Sequence, residues 1–359
     1  MSDTLLRNDD LIVRSAGALR RITLNRPQAL NAITLDMAIA MTALLRGWQS
    51  DPAVGAVLID GAGERGLCAG GDIRALYDAA KSQEPVTADS LQARFWAIEY
   101  KLNVLTARYA KPIVAVMDGL VMGGGVGLSA HAAHRVVTER SAIAMPEVGI
   151  GFFPDVGASF LLARSPGFVG TYLALTGQRV GAADALFCHL ADIHVPVDRL
   201  NKLPTALADC RRHDEVRAAL EDLSANPAPA RLPKQCEWID TCYSGDALEE
   251  IVERLHACRT EDAQAALEVM RKASPTSLKV TLRNIRSAAA FERLEQSFAQ
   301  DYRIALACIA GHDFIEGIRA AIIDKDRKPR WRPQAIEAVT DEIVARHFRS
   351  VGELELKFE

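Results

Sequence analysis

The sequence predicts an α/β protein: a core of repeated strand, glycine-rich turn and helix units, followed by a helical C-terminal region. Three observations carry that expectation. Short apolar strands alternate with helix-length stretches through about residue 200, glycine clusters follow two of the strands, and strand signals vanish beyond that point. The organisation expected is an α/β core over residues 1–200 and a helical region over 201–359.

Taken in order, residues 11–14 and 19–24 are apolar-rich runs separated by Ala16-Gly17, a β-hairpin pattern. Asn25-Arg26-Pro27 stops the second strand. Thr34 reads as an N-cap, Leu35, Ile39, Leu44, Leu45 and Trp48 follow at near-helical spacing, and Asp51-Pro52 ends the helix. Residues 54–59 read as a buried strand leading into the glycine-rich 61–71. The order then repeats, with a helix over 88–107, a strand opened by Pro112 and running to Met117, and the cluster 123–127 entering another helix. Strands over 135–138 and 142–145 follow. Later, residues 226–233 form a Pro/Ala-rich hinge, and Pro275, just after Ser274, suits a first helical turn.

Composition narrows the class. The 359 residues are 49% hydrophobic and 25% charged, enough to bury a large core, and the net charge of −4 does not point to nucleic acid as a partner. The opening Met1-Ser2-Asp3-Thr4, with Arg7 after it, reads as neither signal segment nor transit peptide. No apolar run approaches the ~20 residues needed to span a bilayer, so no membrane partner is expected. Cys68, Cys188, Cys210, Cys236, Cys242, Cys258 and Cys308 are scattered, without a C-x-x-C pair, which points to free thiols, no zinc site and a cytoplasmic location.

Two segments could carry chemistry: Cys68-Ala69-Gly70-Gly71-Asp72-Ile73 and Met122-Gly123-Gly124-Gly125-Val126-Gly127. Each lies after a strand. Taken alone, either reads as a tight turn or a close packing contact. They lack the G-x-G-x-x-G and G-K-[ST] patterns of phosphate-binding loops. Backbone N–H groups fixed in such loops are suited to stabilising negative charge on a thioester oxygen.

Together the segments resemble the crotonase (enoyl-CoA hydratase/isomerase) superfamily. The resemblance rests on Ala69-Gly70-Gly71-Asp72, then Asp118-Gly119 with Gly123-Gly124-Gly125, and on the early Leu24-Asn25-Arg26-Pro27 with Leu30-Asn31-Ala32. It implies a crotonase-type spiral of ββα units. It assigns the oxyanion-hole amides to Ala69 and Gly124, and runs an acyl-CoA substrate along the turn reaching Leu30 and along Gly70, Gly71, Asp72 and Ile73. Family relatives often assemble as trimers, so a homo-oligomer is compatible with it.

Side chains choose the branch. Superfamily hydratases carry one glutamate two residues beyond the triple glycine, where this chain has Gly127, and a second in a Pro-Glu, here Pro146-Glu147. Another carboxylate, Asp155, stands in Phe153-Pro154-Asp155-Val156-Gly157. By themselves, Asp155 reads as an N-cap and Glu147 as a solvated loop residue. The combination resembles the 3-hydroxyisobutyryl-CoA hydrolases of the superfamily, as do Glu99-Tyr100, Ser274-Pro275-Thr276-Ser277, the run 311–320, Ile323-Asp324-Lys325-Asp326 and Pro329-x-Trp331-x-Pro333.

The resemblance implies hydrolysis of a short β-hydroxyacyl-CoA such as 3-hydroxyisobutyryl-CoA, in valine breakdown. Glu147 would act as nucleophile or general base, Asp155 as an orienting carboxylate, and Glu99 at the border of the acyl pocket. No cofactor is expected, because coenzyme A is part of the substrate. The alternatives are an enoyl-CoA hydratase or isomerase of the same fold, and a non-catalytic acyl-CoA-binding protein. His131 and His134 lack a third metal ligand, Cys68 lacks a base partner, and Lys325, Arg327, Lys328, Arg330 and Arg332 read as solvated surface.

Overall fold

In the computed structural model, which describes residues 8–81 and 86–358, the strands expected from the sequence all form, and all but the one over 142–145 join one principal sheet. The strands are β1 (Leu11–Ala16), β2 (Leu19–Leu24), β3 (Ala56–Gly61), β4 (Ile113–Met117), β5 (Leu120–Met122), β6 (His134–Val137), β7 (Ala142–Ala144) and β8 (Ile193–His194). The sheet order is β1-β2-β3-β4-β6-β8, with β5 and β7 paired separately. β1 and β2 form the expected antiparallel hairpin, and the remaining neighbours in the large sheet are parallel. Every residue of β4 is buried, as a parallel strand covered on both faces requires. The N-terminal residues 1–7, on which the reading of the chain's opening rested, lie outside the described residues.

Thr34 caps the helix Leu35–Gln49 by accepting a hydrogen bond from Met37 N at 3.2 Å, as its position predicted. The other expected elements appear as the helices Leu91–Ala107 and Gly124–Ser129 and the helix Pro275–Ala288, capped by Ser274. The short strands β5 and β8 carry too few residues to show a period of two, and were not expected. Beyond β8 the described elements are all helical.

The chain groups into two compact units, each drawn from three stretches of sequence. The first runs to Gly71 and adds Ile98–Ile143 and Val180–Ala230; the second comprises Asp72–Ala97, Ala144–Arg179 and the chain from Arg231 onward. In the first unit, Leu19, Leu58, Val114, Val116 and Val136 form one apolar face of the sheet, with Val195 just beyond β8 in the same cluster. The helices Leu203–Ala206 and His213–Leu223 cover it with Leu203, Val216 and Leu220, joined by Leu207 at the end of the first helix. In the second unit, Trp96 stacks on Phe152 at 5.7 Å between ring centroids, and Phe152 on Phe314 at 4.4 Å.

The loop after β2 is held by one side chain. Leu30 and Asn31 both adopt left-handed backbone, at φ 53° and 54°, and Asn31 is fully buried. Its amide donates to Ala62 O and Gly66 O, both at 3.0 Å, and its Oδ1 accepts from Arg26 N at 2.9 Å. Asparagine suits the site twice, since it tolerates the left-handed region and supplies both donors and an acceptor. Replacing Asn31 with Ala leaves three half-buried backbone groups without their side-chain partner and should cost about 3 kcal/mol of stability. Urea unfolding read by far-UV circular dichroism measures this; a loss under about 1 kcal/mol would show that the loop is held elsewhere.

Candidate active site

Residues 67–71 lie between two neighbouring stretches of the first unit and are hydrogen-bonded to both. Leu67 N donates to Asp118 O at 2.9 Å, Cys68 N to Leu120 O at 3.2 Å, and Ala69 N to Leu30 O at 3.0 Å. In return, Met122 N donates to Cys68 O and Ile33 N to Gly70 O, both at 2.9 Å. These bonds correct the expectation for Ala69: its amide is occupied by the Leu30 carbonyl and is not free to meet a substrate oxygen. Gly70, at φ 120°, then turns the chain, and the next amide, that of Gly71, makes no hydrogen bond among the described residues. No feature of the sequence distinguishes Ala69 from Gly71, because the backbone angle at Gly70 makes the difference.

Gly124 opens its helix, so its amide has no acceptor within that helix. A Cβ built on Gly124 would stand 3.3 Å from Gly71 N and 2.4 Å from Glu99 Oε1. The crowding explains why glycine is needed there, and it brings Gly71 N, the start of the 124–129 helix and the Glu99 carboxylate together. Glu99, on the helix Leu91–Ala107, is buried at 2% exposure. Of the site residues expected in this unit, the structure thus groups Gly70, Gly71, Gly124 and Glu99, with Leu30 serving through its carbonyl. Cys68 is fully buried, and its thiol is pushed up to about 12, first by burial and then by the Glu99 charge, so it is a packed, protonated side chain and not a nucleophile.

In the second unit, Asp72 stands at the start of the helix Ile73–Ala80 without capping it through its side chain. Glu147 begins a short turn of 3₁₀ helix, Glu147–Ile150, directly after Pro146. It is not a solvated loop residue, being 8% exposed, and its Oε2 finds no hydrogen-bond partner among the described residues. Burial, followed by the negative charge of Asp155, holds its carboxyl well above the ordinary glutamate range.

The turn carrying Glu147 is held by the late helices. Ser274 N donates to Val148 O at 3.3 Å, and Ser274 Oγ donates to Asp313 Oδ2 at 2.6 Å. Gly151 has φ 73°, and a Cβ on it would meet Asp313 O at 2.2 Å, so only glycine lets the helix Asp313–Ile318 seat against this turn. The motifs of residues 274–277 and 311–320 thus position the Glu147 turn.

Asp155 does not cap a helix. The helix Ala158–Leu162 begins after Gly157, which has no side chain, and Asp155 is 6% exposed. Its carbonyl accepts from Ala158 N at 2.8 Å, while its carboxyl charge reaches Glu147 and, deeper in the unit, Asp301. Asp301 was not expected from the sequence; it sits mid-helix, where an aspartate carries no motif.

Features set aside on sequence grounds have ordinary settings. His134 Nε2 lies 3.2 Å from His213 Nδ1, and no group of three or more His, Cys, Asp or Glu side chains among the described residues could hold a metal ion. Lys325, Arg327, Lys328, Arg330 and Arg332 are exposed. No helix among the described residues is long and apolar enough to cross a membrane.

Comparison with known proteins bears on this geometry. A family model described as enoyl-CoA hydratase/isomerase matches residues 19–348. The chain is 39% identical to a protein of Xenopus laevis named 3-hydroxyisobutyryl-CoA hydrolase, mitochondrial, over 99% of this chain and 93% of the frog protein. A solved structure titled a carnitinyl-CoA dehydratase from Mycobacterium thermoresistibile is 44% identical with a TM-score of 0.91, covering 98% of this chain and 99% of that one. Another, titled an enoyl-CoA hydratase from Rhodobacter sphaeroides 2.4.1, is 41% identical with a TM-score of 0.88, covering 97% and 100%.

Gly124→Ala provides the direct test of the amide pair. The added methyl must displace the Glu99 carboxylate or move the Gly124 amide away from Gly71, so turnover of an acyl-CoA thioester should fall about 100-fold with the far-UV spectrum unchanged. A variant within about threefold of the parent would remove Gly124 from the site.

Proposed function

The chain belongs to the enoyl-CoA hydratase/isomerase family, and from that premise we propose that it is a thioester hydrolase cleaving 3-hydroxyisobutyryl-CoA, or a similar short β-hydroxyacyl-CoA, to the free hydroxy acid and coenzyme A. One observation carries the choice within the family: Glu147 is buried with Asp155 acting on it, while position 127, where the family's hydratases place their other glutamate, is a glycine. Adding water across a double bond calls for an acid and a base placed together. Cleaving a thioester calls for one carboxylate and a polarised carbonyl.

On this reading the N–H groups of Gly71 and Gly124 stabilise the negative charge that develops on the thioester oxygen. Glu147, once ionised, either attacks the carbonyl carbon to form an acyl-enzyme anhydride that water then opens, or removes a proton from the water that attacks directly. Both routes end alike. The carbon–sulfur bond breaks, the acyl group gains one oxygen, from water directly or through the Glu147 carboxyl that water restores, and the sulfur leaves as a thiol carrying a proton derived from water. Asp155 orients the substrate hydroxyl or the water, and Glu99 borders the acyl group. The thioester is already activated and no electrons are transferred, so the reaction calls for no cofactor beyond the coenzyme A of the substrate. A role in valine breakdown and a cytoplasmic location belong to the same proposal, and a homo-oligomer is compatible with it.

A second reading, a hydratase or dehydratase, is favoured by the likeness to the two solved structures named a carnitinyl-CoA dehydratase and an enoyl-CoA hydratase. The two are separated by product. Free thiol should appear stoichiometrically from 3-hydroxyisobutyryl-CoA, followed with a thiol reagent. Rapid hydration of crotonyl-CoA without thiol release would establish the second reading instead. A non-catalytic acyl-CoA-binding role would leave neither product.

The carboxylates have their own signatures. Glu147→Gln should abolish thiol release, with a loss of at least about 1,000-fold, and Asp155→Asn should lower kcat about 10- to 100-fold. The reactive form of Glu147 is the ionised one, and its proton affinity is raised, so kcat/KM should fall as pH drops through a midpoint above the ordinary glutamate range. In Asp155→Asn the charge that helps raise Glu147 is gone, so that midpoint should move to lower pH. A midpoint that stays in place, or moves up, excludes Glu147 as the titrating group.

A further inference from the structure

The turn that presents Asp155 is strained. Val156 has φ 53° and Gly157 has φ 73°, so two successive residues occupy the left-handed region, and the first is β-branched. A valine there is an outlier that persists only where its surroundings over-determine it. The surroundings are on the helix Leu294–Ile309. Asp301 Oδ2 accepts a hydrogen bond from Gly157 N at 2.9 Å, and one turn earlier Ser297 Oγ meets Ser159 Oγ at 2.8 Å. Asp301 Oδ1 accepts from Asn284 Nδ2 at 3.0 Å, and Asn284 Oδ1 in turn accepts from Gln300 Nε2 at 2.6 Å. Asp301 has no exposed surface.

From this geometry we propose that Asp301 is a positioning residue of the hydrolase, holding the left-handed Val156-Gly157 turn through the Gly157 amide and so fixing the carboxyl of Asp155. The inference rests on the hydrolase reading for its kinetic consequence, while the anchoring itself is a statement about the turn. Burial, with the charge of Asp155 contributing, raises the proton affinity of Asp301 well above the ordinary aspartate range. Asparagine has the same shape as aspartate and can accept the same hydrogen bond from Gly157 N once the amides of Asn284 and Gln300 reorient.

The test compares Asp301→Ala and Asp301→Asn in the full chain. Thiol release from 3-hydroxyisobutyryl-CoA should fall at least about tenfold in kcat for Asp301→Ala, with KM within about threefold, because a displaced group costs rate more than binding. Asp301→Asn should recover most of the rate. Asp155→Asn with Asp301→Ala should be no slower than Asp155→Asn alone, since Asp301 acts through Asp155. Amide hydrogen exchange over residues 153–158 should accelerate in Asp301→Ala. Should that variant fail to fold, Asp301→Ser, whose hydroxyl is too short to reach Gly157, takes its place.

Losses that multiply in the double variant, an Asn variant as slow as the Ala variant, or unchanged exchange would each overturn the assignment. A parent protein that releases no thiol removes the hydrolase reading. Hydrogen exchange then still decides whether Asp301 anchors the turn.

Discussion

The row of backbone hydrogen bonds that joins residues 67–71 to their neighbours on either side is the constraint on which the rest of the candidate chemistry depends. Three successive amides of this row, those of Leu67, Cys68 and Ala69, are occupied by carbonyls. A peptide so fully paired cannot shift without breaking several bonds at once. The next usable donor, Gly71 N, is therefore fixed before any substrate arrives, which is what electrostatic stabilisation of a developing oxyanion requires. The left-handed Leu30-Asn31 turn on one side and the glycine cluster at 123–125 on the other follow from the same need. Each lets a backbone approach the row closely enough to bond to it.

In the second unit the same problem is solved with side chains. The turns carrying Glu147 and Asp155 contain little regular structure of their own. Their conformation is set by what packs against them: Ser274 and Asp313 at residues 147–151, and Asp301 and Ser297 at residues 156–159. The helices that follow residue 230 thus determine where two carboxylates point. That gives a physical content to the long C-terminal region and ties its motifs to the site.

Burial raises the proton affinity of both Cys68 and Glu147, with different chemical consequences. The same desolvation that leaves the Cys68 thiol protonated and inert makes Glu147 a stronger base once it ionises, because a carboxylate deprived of water holds a proton more tightly. Asp155 adds to the effect at Glu147. A carboxylate tuned upward in this way is matched to proton transfer nearer neutral pH.

The order of strands and helices, the hairpin, the Thr34 and Ser274 caps and the glycine clusters were all legible in the sequence, because periodicity, turn residues and caps are local properties. So were Glu147, Asp155, Glu99 and Gly124, through motifs whose spacing survives in a single chain. Other features were not legible. That the amide of Ala69 is occupied and that of Gly71 is not depends on the backbone angle at Gly70 and on a carbonyl from Leu30, far away in the chain. That Glu147 and Asp155 are buried depends on helices more than a hundred residues later. Asp301 had no motif at all, since its role exists only where its helix meets the Gly157 amide. The sequence by itself determined which elements form and which residue types the chemistry has to hand. Only the tertiary structure decided which amide is open and which carboxyl is desolvated, because both are properties of what a group is packed against.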